Sequence, residues 1–313
     1  MAAYEFFQFQ WSCSEQGYEW KHGKFIAFGD TQDHQGPMLV PVREVERVYV
    51  PPRNLFLEFA SLDPTRDDDI LKFATAYGLL GGAPVLFPKR ERTFPLRGEP
   101  KSHWVEQLHH MKAAVSLREA LRANDTELLS RCIKWRGTDR IDYHWPPSSD
   151  LMTPWSTHAT IASKDINPDL FKQFRPKDVE MPARVYLQKV VNENLERLAA
   201  PRLLWMIPDR DKMGLFIVPN SLIGCLWLQL ASAIAELRTF RICEGCSKPM
   251  LVAPEGSGFR ANRKTCSDAC RVRLYARRKE EARKLHSQKV SRREIAKRLN
   301  IEVDQVRNWI AQR

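Results

Sequence analysis

The chain lacks the motifs that mark the common nucleotide-dependent and hydrolytic chemistries. No glycine-rich phosphate loop, dinucleotide fingerprint, metalloprotease helix or nucleophile elbow occurs along its 313 residues. Internal repeats are absent too. The most apolar stretch, 218–237, carries Pro219, Asn220, Gln229 and Glu236, which a lipid-facing span tolerates poorly, so it reads as a buried core helix. The opening Met1-Ala-Ala-Tyr-Glu-Phe-Phe-Gln shows no basic start, apolar core or small-residue cleavage site, and the expectation is a cytosolic chain without a secretory signal. Histidine offers little. His103, His109 and His110 fall on one predicted helix, but none of the eight histidines pairs with a second ligand or nucleophile at a spacing that suggests chemistry. With 43% hydrophobic and 10% aromatic residues the chain is apolar enough to bury a core, and its length suits about two domains.

Acidic excess is missing as well, and the basic excess is local. The net charge is +11. Residues 241–313 hold 19 Lys and Arg against 8 Asp and Glu, which leaves 30 of each sign in residues 1–240. A neutral body joined to a basic tail is the electrostatic footprint of a nucleic-acid binder, because phosphate neutralisation and counterion release supply most of the non-specific affinity. A solvated surface, or one that meets an acidic protein or membrane, is the alternative.

Cysteine usage bears on how the tail is held. Of seven cysteines, four form two close pairs, Cys243-Glu-Gly-Cys246 and Cys266-Ser-Asp-Ala-Cys270, with 19 residues between them. In a chain expected to be intracellular, disulfides are not available, and this spacing points to a four-thiolate zinc site. Glycine inside the first gap permits a tight turn, and a helix starting near Ser267 and Asp268 sets the second pair at a positive helix end that favours thiolate. The segment 247–265 has only Met250, Leu251, Val252 and Phe259 as sizeable apolar residues, so the ion replaces a missing core. Four sulfur ligands leave no open position, and the expected role of one Zn2+ is structural. Cys13, Cys132 and Cys225 are isolated and read as buried thiols.

Beyond the fourth cysteine, residues 271–286 contain helix formers and neither Gly nor Pro. Leu274, Tyr275, Ala282 and Leu285 make a narrow apolar stripe, while Arg271, Arg273, Arg277, Arg278, Lys279, Arg283 and Lys284 project around it as candidate phosphate contacts. Ser291-Arg-Arg-Glu294 then fits a capping box, bringing Arg292 and Arg293 to the start of a short helix with Ile295, Ala296 and Leu299 on one face. Asn300 stops it, and a new helix from about Glu302 turns Val306, Trp309 and Ile310 inward. This is a helix-turn-helix pattern whose spacing resembles homeodomain-like and resolvase-type DNA-binding domains. In that resemblance the last helix enters the major groove, which makes Arg307 and Asn308 the candidate base readers with Gln305 behind them. Glu302 and Asp304 at the same helix start oppose phosphate.

From about 185 to 275 the chain resembles bacterial proteins carrying the CGNR-type zinc finger, through its paired cysteines, the Cys266-Ser267 start of the second pair and the apolar helix from Ser221. In that family a largely helical body precedes a four-cysteine finger and a basic tail, and the resemblance implies a DNA-linked regulatory role. Where the family name places Gly-Asn-Arg after the fourth cysteine, this chain has Arg271-Val272-Arg273, so the arginine alone agrees.

For the body, apolar and β-branched clusters at 4–11, 24–28, 38–42 and 45–50 predict strands. Helices are expected at 67–77 closing at Gly78, at 102–123, at 126–135 with Asn124 and Glu127 at capping-box spacing, at 183–198 and at 221–237, with a hairpin of 203–207 and 215–218. The segment 137–182, with six prolines, reads as an irregular insert or linker. Trp145-Pro-Pro and Trp155 could line a ligand pocket, or simply pack. The fold class is α+β: a strand-rich part (1–100), a mainly helical body (101–240), a four-cysteine zinc finger (241–275) and a helix-turn-helix (276–313). The leading reading is a cytoplasmic, nucleoid-associated transcriptional regulator that binds a specific DNA site. RNA is the less favoured nucleic acid, no membrane partner is expected, and the body senses an unnamed small-molecule effector or assembles a homodimer. The rival is an enzyme or effector acting on nucleic acid with its active site in 1–240, and an interaction adaptor comes third.

Overall fold

The structure, a computed structural model, describes residues 9–27, 33–43, 45–81, 86–88, 98–137, 140–145, 157–162, 174, 177–205, 213–236, 239–246, 249–252, 263–299 and 301–311. Strand and helix are mixed, as an α+β chain requires. Contacts divide it into two units, Met1–Glu236 and Leu237–Arg313. Four parts were expected. The strand-rich and helical parts of the body merge because strand β6 (Glu99–Pro100) pairs with β3 (Asp33–Pro41) and leads directly into α3 (Lys101–Ala123).

In the first unit, β1 (Trp11–Ser14) pairs antiparallel with β4 (Glu46–Tyr49). The longer β2 (Tyr18–Ala27) runs against β3 from Tyr18 opposite Pro41 to Ile26 opposite Asp33, and takes β5 (Leu86–Pro88) on its other edge. The strands expected at 38–42 and 45–50 are present, and 24–27 falls in β2. Phe28 and residues 4–8 lie outside the described residues.

The helical core sits where α1 (Leu55–Ala60), α3 and α6 (Leu222–Ala235) meet. Phe59 of α1 lies 5.3 Å from the Phe73 ring of α2 (Asp67–Tyr77) and 6.2 Å from Trp104 of α3. Gly78 ends α2 at φ +85°, and a Cβ there would meet Ser12 O at 2.5 Å, so the expected stop is needed both for conformation and for space. Gln229, one of the polar residues that argue against a membrane span, is buried in α6. Its Nε2 donates to Pro52 O (2.7 Å) and its Oε1 accepts from Phe56 N (3.3 Å), which ties α6 to the start of α1. Among the described residues no helix is long and apolar enough to cross a membrane.

Two expectations for the body are corrected. Helix α4 (Thr126–Cys132) stops before 135, and Ile133–Arg136 forms β7. β7 pairs with β8 (Arg140–Trp145), which pairs with β9 (Thr157–Ala162). The segment 137–182 thus contributes two strands of a three-stranded antiparallel sheet. None of the segment's first five prolines falls within the described residues; only Pro182, in the helix that follows, does. The cap before α4 is Asp125, whose side chain accepts from Leu128 N, while Asn124 closes α3 in the left-handed region at φ 51°. α5 (Glu180–Leu198) leads into the expected hairpin, β10 (Ala199–Trp205) and β11 (Met213–Pro219).

The second unit opens with the hairpin β12 (Thr239–Ile242) and β13 (Pro249–Val252). Three helices follow: α7 (Asp268–Ser287), α8 (Arg292–Leu299) and α9 (Val303–Ala311). α7 runs through the boundary expected at 275/276, which is why the cysteine cluster and the terminal helices form one unit.

Candidate functional site

Cys243 follows β12 and Cys246 ends the tight turn after it, while Cys266 and Cys270 flank the start of α7. All four Sγ atoms lie within 4.8 Å of one another, so the four cysteines could hold one metal ion. Cys246 and Cys266 Sγ are 3.6 Å apart, and Cys266 and Cys270 Sγ 3.5 Å. Metal–sulfur bonds of about 2.3 Å in a tetrahedron require sulfur–sulfur edges of about 3.8 Å, so the cluster needs only a small adjustment to close on an ion.

Local structure aims the sulfurs. Ser267 caps α7 by accepting from Cys270 N, and Cys266 N donates to Cys243 Sγ (3.2 Å). Glu244 N donates to Lys264 O (2.9 Å), which joins the two turns by their backbones, and Arg263 Nε donates to Thr265 O (2.6 Å) within the second turn. A Cβ on Gly245 would stand 2.5 Å from Cys270 O, so this turn reaches the helix start only with glycine at that position. Burial opposes ionisation of Cys243, yet the amides of Cys266, Gly245 and Cys246 bring its thiol down to about 6. Cys266 is pushed up to about 12 by burial and by hydrogen bonds with neighbouring sulfurs, and the Ser267 hydroxyl holds Cys270 below the usual thiol value. Hydrogen-bond donors thus already point at the sulfurs of Cys243 and Cys270. Of the segment's apolar residues, Met250 and Val252 are buried against the cluster, while Phe259 lies outside the described residues.

At its other end α7 enters a three-helix core. Ala282, Ile295, Ala296, Leu299, Val306 and Trp309 are buried together, with Leu285 and Ile310 packed against them. This is the apolar set expected from the sequence. Trp309 Nε1 donates to Tyr275 Oη (2.7 Å), and the two rings meet edge to face with centroids 5.1 Å apart. Glu294 N donates to Ser291 Oγ (3.3 Å), the expected cap of α8. Ile301 N donates to Ala296 O (3.0 Å), a six-to-one closure of the helix, although Asn300 itself lies outside the described residues.

The candidate cations divide into two groups. Arg277 Nη2 donates to Glu244 O (2.7 Å), Arg278 pairs with Glu244 (2.6 Å), and Arg283 Nε donates to Trp309 O (3.0 Å). These three, expected to project freely, brace α7 against the cysteine turn at one end and α9 at the other. Sequence spacing along one helix holds no trace of such partners, since they come from other elements. Arg271 pairs with Asp268 (3.2 Å) inside the first turn, and Lys279 is half-buried. Arg273, Lys284, Arg292 and Arg293 are exposed and have no ion pair among the described residues. On α9, Arg307 and Asn308 are exposed and Gln305 half-buried; Arg307 pairs with Asp304 (3.2 Å), one of the two acids flagged at that helix start.

In the body, burial lowers His103, His109 and His110 below the usual imidazole range, and no metal cluster forms around them among the described residues. Trp155 lies outside the described residues. Comparison with known protein families, curated proteins and solved structures finds no match to this chain.

Proposed function

We propose that the protein binds DNA at specific sequences and acts as a cytoplasmic transcriptional regulator, with one structural Zn2+ on Cys243, Cys246, Cys266 and Cys270. A single observation carries this reading: one helix, α7, joins a four-sulfur cluster at its start to a three-helix core at its end, with exposed cations between and beyond them. Four thiolates suit zinc and leave it no open position, so the ion serves folding and not reaction. The helices α8 and α9, joined by a tight turn over buried Ala296, act as a helix-turn-helix, with α9 entering the major groove. Arg307 and Asn308 read base edges there, and Arg273, Lys284, Arg292 and Arg293 neutralise phosphates.

The test is selection of bound duplexes from a random pool by the purified protein. Enrichment of one sequence supports the regulator. Sequence-blind binding with strand cleavage or modification favours an enzyme delivered by its tail, and no binding at low salt sinks both. Arg307→Ala is expected to weaken the selected site by about 1–3 kcal/mol, whereas Arg273→Ala weakens every duplex alike and flattens the salt dependence. Equal losses from both variants on all sequences rule out base reading by Arg307.

A further inference from the structure

Between α3 and α5 the first unit holds a cavity of about 190 Å³. Its walls are Ala113, Ala114 and Leu117 of α3 and Leu187 and Val190 of α5, and small Ala113 and Ala114 are what leave the room. An apolar cavity of about 150 Å³ holds a benzene ring, so this one admits a ring and a substituent. Tyr143 of β8 also lines it. Tyr143 is 1% exposed, stacks on Tyr186 with centroids 3.6 Å apart, and its hydroxyl has no hydrogen-bond partner among the described residues. A buried phenol without a partner costs free energy, and Tyr143 is one of the residues that line the cavity. Burial pushes this phenol above its ordinary value, with Tyr186 adding to the rise, so it stays a neutral donor.

The far end of the cavity differs in chemistry. His110, Glu193, Asn194 and Arg197 line it there, eleven positions along α5 from Tyr186 to Arg197. Glu193 is already matched by Lys189 at 3.5 Å, and Asn194 Nδ2 donates to Val190 O (2.8 Å). Arg197 has no ion pair among the described residues; at His110 burial disfavours the charged imidazole, Glu106 favours it and Arg197 opposes it. Arg197 thus offers this end of the cavity an unmatched guanidinium, which is suited to a carboxylate.

We infer that this cavity binds a small monocarboxylate with a ring-sized apolar body, its carboxylate on Arg197 and a hydrogen-bonding group at its opposite end on the Tyr143 hydroxyl. The apolar walls take the body, the guanidinium supplies the charge, and the phenol selects among ligands of equal size. The inference concerns the first unit and stands whether or not the second unit binds DNA.

Calorimetric titration of the full chain with 4-hydroxyphenylacetate, phenylacetate and tyramine tests it. Both carboxylates are expected to bind, 4-hydroxyphenylacetate about fivefold to tenfold more tightly, and tyramine not at all. Tyr143→Phe removes the unsatisfied hydroxyl, so it should fold with an undiminished Tm, and it should erase the preference for 4-hydroxyphenylacetate while leaving phenylacetate unchanged. Arg197→Gln, at an exposed position, should abolish both. Absence of heat with either acid at millimolar concentration, tyramine binding as well as the acids, or a preference that survives Tyr143→Phe would overturn the inference.

Discussion

The first unit buries Phe56, Phe59, Ile70, Trp104 and Trp227 among its helices, whereas around the four cysteines of the second unit only Met250 and Val252 join the sulfurs as buried residues among those described. Large side chains excluded from water suffice to hold the first. The second has too little apolar surface beside its hairpin, and on the proposed reading a metal ion held by the four cysteines supplies what burial does not. The difference teaches that a chain can carry two kinds of folding energy and respond to two different perturbations.

The comparison breaks most sharply at the metal. Chelation, or Cys243→Ser, is expected to unfold the region around 239–271 with a loss on the order of 10 kcal/mol, while the near-ultraviolet signature of the first unit persists. Full retention of amide-exchange protection at Cys243–Cys270 without metal would show that burial alone suffices. Next in size is Trp309→Ala. It empties the centre of the three-helix core and removes the bond to Tyr275, and should cost about 3–5 kcal/mol, with exchange accelerating across α8 and α9 while the metal stays bound. Metal lost together with that core would mean that the two halves of the second unit cannot be separated.

Acidity separates the units in opposite directions. Glu99 is buried, accepting from Leu80 N (2.9 Å) and Gly81 N (2.5 Å), and burial raises its carboxyl from 4.5 to about 7 against those two bonds. Its folded value lies above its unfolded one, so its contribution to stability is complete below about 4.5 and is lost as the pH rises through about 7. The first unit should weaken by about 3 kcal/mol over that window, read as a falling urea midpoint, and Glu99→Gln should flatten the slope. The thiolates of the second unit must shed protons to take a metal, so its stability should rise over the same window. Parallel pH profiles for the two units would contradict both statements. The smallest expected effect is at Lys289, which follows α7 at φ +63° while Val290 N donates to Leu285 O (3.1 Å). Lys289→Gly relieves the left-handed conformation and should stabilise the second unit by about 0.5–1 kcal/mol, measured as a small rise in Tm.

The cysteine cluster and the terminal helices were readable in the residues because their determinants are local. Two sulfurs across a glycine turn, two more at a capped helix start, and an apolar stripe at Ala282, Ile295, Ala296, Leu299, Val306 and Trp309 are patterns of short range, and each has its structural counterpart. The strands at 140–145 and 157–162 were not readable. The prolines of the surrounding segment suggested an irregular path, and what makes strands of the two stretches is pairing of 140–145 with Ile133–Arg136, whose own residues read as the end of a helix, and of 157–162 with 140–145. Capping shifted by one residue for a related reason, because Asn124 and Asp125 both suit the junction and only the closure of α3 decides which one turns left-handed.

Residue order thus settled which atoms can ligate a metal, where charge accumulates and which helices share a core, all consequences of spacing along the backbone. Only the folded chain decided which arginines serve as braces, that the buried Tyr143 hydroxyl has no hydrogen-bond partner among the described residues, and that Arg197 shares a cavity with it. Those facts depend on neighbours brought from far along the chain, and helical or strand periodicity carries no information about such encounters.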